Sequence, residues 1–248
     1  MIYFVSDIHL GFFEKKIAQQ KEDFFISWLN QIKNDCSTLI LLGDIFDYWF
    51  EYKKVIPACF YRTLFVLKNF SDSGIKIEYV MGNHDFGHTS FFKNELGIEV
   101  IKTDIERNYF GKNFYLSHGD GKFYDEAGHL ISRKILRNKV CQKLFSYIHP
   151  DVGISLALAC SRRSRRFTEK KYCDENNEDG MQNFAKNKIK EGFDFVVMGH
   201  KHFVERKTYQ FDNHQGEYIN LGEWLRNPHY GKFDGNSFEL IKLNFDNF

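Results

Sequence analysis

Five short stretches of the chain hold side chains suited to metal chemistry. In order they are Asp7 and His9 in SDIHLG, Asp44 and Asp47 in GDIFD, Asn83, His84 and Asp85 in GNHD, His118 and Asp120 in SHGD, and His200 and His202 in GHKH. A D-x-H pair is a workable half-site, because residues i and i+2 of an extended segment project to one side and offer a carboxylate and an imidazole to a single ion. GHKH repeats that spacing, with Lys201 expected to point the other way. Carboxylate and amide oxygens mixed with imidazoles, without thiolates, suit Mn, Fe, Zn or Ni better than a thiolate structural zinc. Asp7, His9, Asp44, Asn83, His118, His200 and His202 are too many ligands for one ion. They suit two divalent ions roughly 3.5–4 Å apart and bridged by a carboxylate, the arrangement that clamps the attacking and leaving oxygens of phosphoryl transfer. Any one of these stretches alone reads as a turn or a helix cap. Five in order, each at the end of an apolar run, read as one site.

The elements that must position them follow from periodicity. Residues 1–5 and 37–42 are apolar, partly β-branched runs that read as buried strands, and between them Phe24, Phe25, Trp28, Leu29 and Ile32 recur at helical spacing. Residues 59–70 read as a second helix, Ser73-Gly74 ends it, and 75–80 as a third strand. This alternation specifies a mostly parallel sheet with covering helices, in which ligands gather outside the carboxyl ends of the strands. Residues 113–117, 193–198, 217–221 and 237–243 are further strands, expected to form a second sheet packed on the first. Glycine precedes Asp44, Asn83 and His200, where the backbone is expected to turn sharply.

The segment from about 123 to 190 breaks the rhythm. It reads as helical, and between 133 and 171 it holds eleven Lys or Arg against two acids, in a chain of net charge +1. The reading is one domain, 1–248, with a basic helical cap inserted at about 123–190. Arg162, Arg163, Arg165 and Arg166 in SRRSRRF offer guanidinium forks to phosphate oxygens, beside the apolar Phe145, Tyr147, Ile148, Ile154, Leu156 and Leu158. That combination suits an anionic, amphiphilic substrate, and it suits contact with an anionic membrane surface. Asp125 and Glu126 are candidates for orienting a sugar or the cap.

Near-neutral charge argues against a protein that coats nucleic acid, so no stable nucleic-acid partner is expected. No apolar run is long enough to span a bilayer, and the N-terminal residues lack a basic leader region. The expectation is a cytoplasmic protein, at most peripheral on the inner membrane. Five scattered cysteines without a C-x-x-C pair read as reduced, ordinary residues.

D-x-H, GD-x-x-D, GNHD, H and GH-x-H, spanning Asp7 to His202 in this order, resemble the calcineurin-like metallophosphoesterases. The resemblance implies an α/β fold, a four-layer αββα sandwich, and a dinuclear-metal hydrolase. It implies that Asp7, His9 and His202 hold one ion, that Asn83, His118 and His200 hold the other, and that Asp44 bridges them. His84 would then donate to the leaving oxygen or stabilise the transition state, oriented by Asp47. SDIHLG, GDIFDYW, SHGDGKFYDEAG and MGHKH followed by YINLGEW are similar, more narrowly, to the UDP-2,3-diacylglucosamine pyrophosphatases of lipid A synthesis. This implies a Mn-dependent hydrolysis of UDP-2,3-diacylglucosamine to UMP and 2,3-diacylglucosamine 1-phosphate. Characterised members have GNRD where this chain has GNHD, and a guanidinium and an imidazole are different tools. Tyr48 stands where protein serine/threonine phosphatases place Arg. A cyclic-nucleotide phosphodiesterase or a nuclease shares GNHD and GH-x-H. A non-catalytic interaction module on this fold would lose ligands, whereas every ligand position here is filled.

Overall fold

The computed structural model describes residues 1–122, 134–168 and 179–244, without the side chains of 162–168. Strands β1 (Ile2–Val5), β2 (Thr38–Leu41), β3 (Lys76–Val80) and β4 (Glu99–Ile101) pair in parallel. Helices α1 (Lys15–Ile32) and α2 (Tyr61–Asp72) connect the first three. The second sheet is built from β5 (Ile105–Tyr109), β6 (Lys112–Ser117), β7 (Phe195–Met198), β8 (Val204–Phe211) and β9 (His214–Leu221), in the order β5-β6-β7-β9-β8. The chain then returns to the first sheet through β10 (His229–Phe233) and β11 (Phe238–Lys242), which gives the order β11-β10-β1-β2-β3-β4.

That return corrects the expectation for residues 237–243, which were assigned to the second sheet. β10 pairs antiparallel with β1, and β11 with β10, so Phe233 and Phe238 reach the space between the sheets from the first. A strand's own alternation reports that one face is buried, and says nothing about which neighbour it pairs with.

Alternate residues of each strand face opposite layers. Tyr3 and Val5 of β1 pack with Phe25, Trp28 and Leu29 of α1, whereas Ile2 and Phe4 belong with Phe114, Val197 and Ile219 between the sheets. On the far side Tyr115, Val196, Met198 and Tyr218 meet Met181, Ala185 and Ile189 of a further helix, Gly180–Lys190. The layers are therefore α1 and α2, first sheet, second sheet, and that helix: a four-layer αββα sandwich. Trp28 is fully buried, its ring 5.2 Å from that of Trp224 and stacked 5.8 Å from that of Phe25. Burial of each such ring contributes about 1.5–3 kcal/mol.

Ahead of the Gly180–Lys190 helix, α3 (Lys139–Phe145) starts where Asn138 Oδ1 accepts from the Val140 and Cys141 amides. It is followed by α4 (Pro150–Thr168), and the helix on the second sheet is α5. Over 150–161 of α4, the buried residues are Gly153 and Ser161. Arg162, Arg163, Arg165 and Arg166 lie on the backbone of α4, but their side chains, like Asp125 and Glu126 as a whole, lie outside the described residues.

Candidate active site

The hydrogen-bond ladder between β1 and β2 continues past the strand ends. The amides of Asp7, His9 and Leu10 donate to the carbonyls of Gly43, Asp44 and Ile45, and the Asp47 amide returns to the Leu10 carbonyl. The D-x-H and GD-x-x-D stretches are thereby laid side by side. Asp85 ties the third stretch to them: its Oδ1 accepts from the Gly82 amide at 2.7 Å, and its Oδ2 accepts from the Ile45 amide at 3.0 Å and from the Tyr79 hydroxyl. Burial and the nearby Asp44 charge push the Asp85 carboxyl up to about 6. From the second sheet, Asn220 Nδ2 donates to the Gly199 carbonyl at 2.7 Å, and the His200 amide donates to Asp7 Oδ2 at 2.9 Å. Both sheets meet at this rim.

The D-x-H and H-x-H pairs do not converge by extended geometry. Asp7, His9, His200 and His202 all take left-handed backbone conformations, with φ of 51°, 51°, 68° and 59°, and Asp44 joins them at 54°. Such values for residues other than glycine cost on the order of 1 kcal/mol or more each and persist where surrounding structure over-determines them. The glycines divide in role. Gly43 takes φ of 81°, as a sharp turn requires, whereas Gly82 and Gly199 allow close approach. A Cβ on Gly82 would lie 2.1 Å from Asp44 Oδ1, and one on Gly199 2.3 Å from Asp7 Oδ2.

The seven candidate acceptors fall into two groups that share Asp44. In the first, Asp7 Oδ1 lies 3.3 Å from His202 Nε2 and 3.7 Å from His9 Nε2, and the two imidazole nitrogens are 3.2 Å apart. In the second, Asn83 Oδ1 lies 2.9 Å from His118 Nε2 and 3.0 Å from His200 Nδ1. Asp44 Oδ2 faces both groups, 3.8 Å from His9 Nε2 and 3.4 Å from His118 Nε2. His118 Nδ1 is placed to donate to the Leu42 carbonyl at 2.8 Å, which leaves Nε2 as the atom turned to the site. Lys201 is directed away, paired with Asp179 and Glu205.

These residues fit a cation on two observations. Asp7 Oδ1 is a buried acceptor without a hydrogen bond. The second is the donor set: carboxylate oxygens and imidazole nitrogens gather within reach of one another, while burial lowers the His118 imidazole and the Asp44 carboxylate outweighs it and pushes the group up to about 10. Burial likewise raises the Asp7 and Asp44 carboxyls. The imidazoles of His202 and His9 around Asp7, and of His118 and His84 around Asp44, outweigh it and hold both well below the usual carboxylate range.

His84 and Asp47 stand beside the first group. The His84 amide donates to Asp44 Oδ1 at 2.8 Å, and its ring Nδ1 lies 3.2 Å from the Asp47 carbonyl and 3.6 Å from Asp47 Oδ1. Asp47 Oδ1 is nearer to His9 Nδ1, at 3.3 Å, so this carboxylate faces two imidazoles rather than one. Sequence reasoning missed two contributors from the insert. Arg137 donates to the Gly82 carbonyl and to Asp120, and Ser161 donates to Asp47 Oδ2 at 2.9 Å. Ser161 opens the SRRSRRF stretch, which reads as a phosphate binder, and nothing local marks either residue as a partner of the site.

A cavity of about 550 Å³ opens beside the site, lined by Asp47, Asn83 and His84 on one side and by Leu136, Phe145 and Leu156 among the cap residues on the other. A second cavity, of about 620 Å³, touches His118, Asp120, Lys122 and Arg137.

The family profile for calcineurin-like phosphoesterases matches residues 1–204. The UDP-2,3-diacylglucosamine hydrolase of Porphyromonas gingivalis is 31% identical, the alignment covering 98% of this chain and 97% of that one. The enzyme of the same name from Haemophilus ducreyi is 27% identical, over 90% and 91%. A solved archaeal phosphodiesterase aligns over 98% of this chain and 99% of its own with a TM-score of 0.47 and 19% identity. With a family profile spanning most of its length and a full-length relative above 30% identity, the chain belongs to the calcineurin-like phosphoesterase family, whose members are metal-dependent hydrolases.

Proposed function

We propose that this hydrolase cleaves the diphosphate of UDP-2,3-diacylglucosamine, releasing UMP and 2,3-diacylglucosamine 1-phosphate. The observation that carries the reading is the cavity of about 550 Å³ beneath the cap, which joins an apolar wall of Ile135, Leu136, Phe145 and Leu156 directly to His84 and Asp47. A substrate with acyl chains on one side of its phosphates suits such a cavity, and two full-length relatives are named for that substrate.

Asp7, His9 and His202 hold one divalent ion in this reading, and Asn83, His118 and His200 the other, with Asp44 shared. Manganese is the metal proposed, with Fe, Zn and Ni matching the same donors. When bound, such a pair supplies positive charge to the phosphoryl oxygens and acidifies water. The chain's own residues do the rest. With Nδ1–H directed at Asp47, the Nε2 of His84 serves the leaving oxygen. Arg162, Arg163, Arg165 and Arg166 bind phosphate from the cap.

The single domain keeps this basic cap as its insertion, and we assign it a second role at the inner-membrane surface on the cytoplasmic side. Val140, Leu144, Tyr147 and Val152 are exposed, beside Lys139 and Lys143. No described helix is long and apolar enough to cross a membrane. The test is a substrate panel with and without Mn: the lipid diphosphate, cyclic nucleotides, single-stranded DNA and a phosphopeptide. UMP release from the lipid diphosphate is the expected result, and fast turnover of another diester with no UMP would refute the reading.

A further inference from the structure

Over 150–161, α4 buries two residues against the body of the protein. They are Gly153 and Ser161, eight apart and therefore close to the same face of the helix. A Cβ on Gly153 would lie 2.3 Å from the Tyr52 hydroxyl, so the first contact is a close approach of backbone to an aromatic side chain. The second is polar and reaches the site: Ser161 Oγ donates to Asp47 Oδ2 at 2.9 Å, both residues nearly inaccessible to solvent. Between the two contacts Leu156, Ala157 and Cys160 roof the apolar cavity, whose floor includes His84 and Asp47.

The bond fixes more than the helix. With Oδ2 engaged by Ser161, the other oxygen of Asp47 is turned to His9 Nδ1 at 3.3 Å and His84 Nδ1 at 3.6 Å. Rotation of that carboxylate would change the charge that faces both rings.

We propose that Ser161 is a positioning residue that couples the helical cap to the reaction. Ser161 holds the Asp47 carboxylate against the His9 and His84 rings, and an apolar group packed under Leu156, Ala157 and Cys160 reinforces that contact by holding α4 in place. Energy from binding a part of the substrate that does not react is thereby used at the reacting centre. Substrates lacking that apolar part lose turnover as well as affinity. The inference rests on the hydrolase reading of the site, while its structural half needs no substrate.

Two measurements test it on the full-length protein. The first is amide hydrogen exchange over α4 in the wild type, Ser161→Ala, Asp47→Ala and the double variant. Both single variants should speed exchange of 150–161 by a similar factor, and the double variant should add nothing further. The second is steady-state kinetics on UDP-2,3-diacylglucosamine with Mn. Ser161→Ala should lower kcat about tenfold, the usual effect of losing one hydrogen bond to a charged group, with KM nearly unchanged and full metal content. Ser161→Thr should restore both exchange and kcat. Unchanged α4 exchange in the single variants overturns the coupling, as does a change confined to KM. If the wild type fails to hydrolyse the lipid diphosphate, the substrate assignment falls, and the exchange result still decides the role of Ser161.

Discussion

His84 differs from the seven acceptors around it because its ring nitrogen meets the carbonyl of Asp47, with the Asp47 carboxylate 3.6 Å away, and borders the apolar cavity. It also comes near enough to His9 and Asp44 to form a third possible ligand group. Elemental analysis separates the two roles. His84→Ala should keep both metals and slow turnover by roughly 10²–10⁴-fold, the usual contribution of a positioned proton donor. Loss of metal in that variant would make His84 a ligand. A second histidine predicts a pH effect. His88 is buried among Trp49, Tyr79 and Phe92, ring centroids 5.4, 4.9 and 4.6 Å away, and neither nitrogen forms a hydrogen bond. Glu51 Oε1 is 3.8 Å from Nδ1. Burial, with a smaller push from Lys102, holds the imidazole well below 6.5. The folded protein therefore keeps His88 neutral while the unfolded chain takes up a proton below about 6.5, so stability falls as pH drops through that value, by at most about 1.4 kcal/mol per unit. His88→Phe should flatten urea-unfolding free energies between pH 6.5 and 5. An unaltered slope in that variant would remove His88 as its source.

Among the elements, the cap is where charge and motif separate. The Arg162, Arg163, Arg165 and Arg166 group follows Ser161 on α4, within one to two turns of the Asp47 contact. Replacing all four with Ala should raise KM for the lipid diphosphate, as loss of substrate binding does. Unchanged KM would show that these arginines only solvate the helix. The same helix shows where sequence reading stops. Strands ending in proposed ligands, such as Ile2–Val5 before Asp7 and Phe195–Met198 before His200, are continuous apolar runs and were legible. β8, Val204–Phe211, is half exposed and polar at alternate positions, β4 has three residues, and both went unread. The side chains of the site were legible because metal chemistry restricts residue type. The left-handed backbone at Asp7, His9, Asp44, His200 and His202 was not, since it is imposed by tertiary contacts such as the Asp7 amide on the Gly43 carbonyl. The partner of Ser161 was equally silent: the serine reads with its neighbours as a phosphate binder, and Asp47 lies 114 residues away.

For the whole molecule, the consequence of the site lies in which sheet supplies which proposed ligand. Asp7, His9, Asp44 and Asn83 follow strands of the first sheet, and His118, His200 and His202 follow strands of the second. Each proposed ion is held from both, so occupancy crosslinks the two sheets at their rim. Without a cation, Asp7 Oδ1 remains a buried acceptor lacking a hydrogen bond, in a loop whose left-handed residues already oppose folding. An ion that binds the folded chain and not the unfolded one stabilises by about 2.7 kcal/mol at one hundred times its dissociation constant. For a domain of this size, each kcal/mol moves the melting temperature by roughly 2–4 °C. Protein stripped with a chelator should therefore melt roughly 5–10 °C below protein with excess Mn, reversibly on adding the metal back. Asp44→Ala should abolish most of the difference, because Asp44 Oδ2 faces an imidazole of each group. Identical melting of stripped and loaded wild type, with metal bound in the loaded sample, would show that the rim is rigid without ions and that the strain at its five left-handed residues is balanced by the two β-sheets.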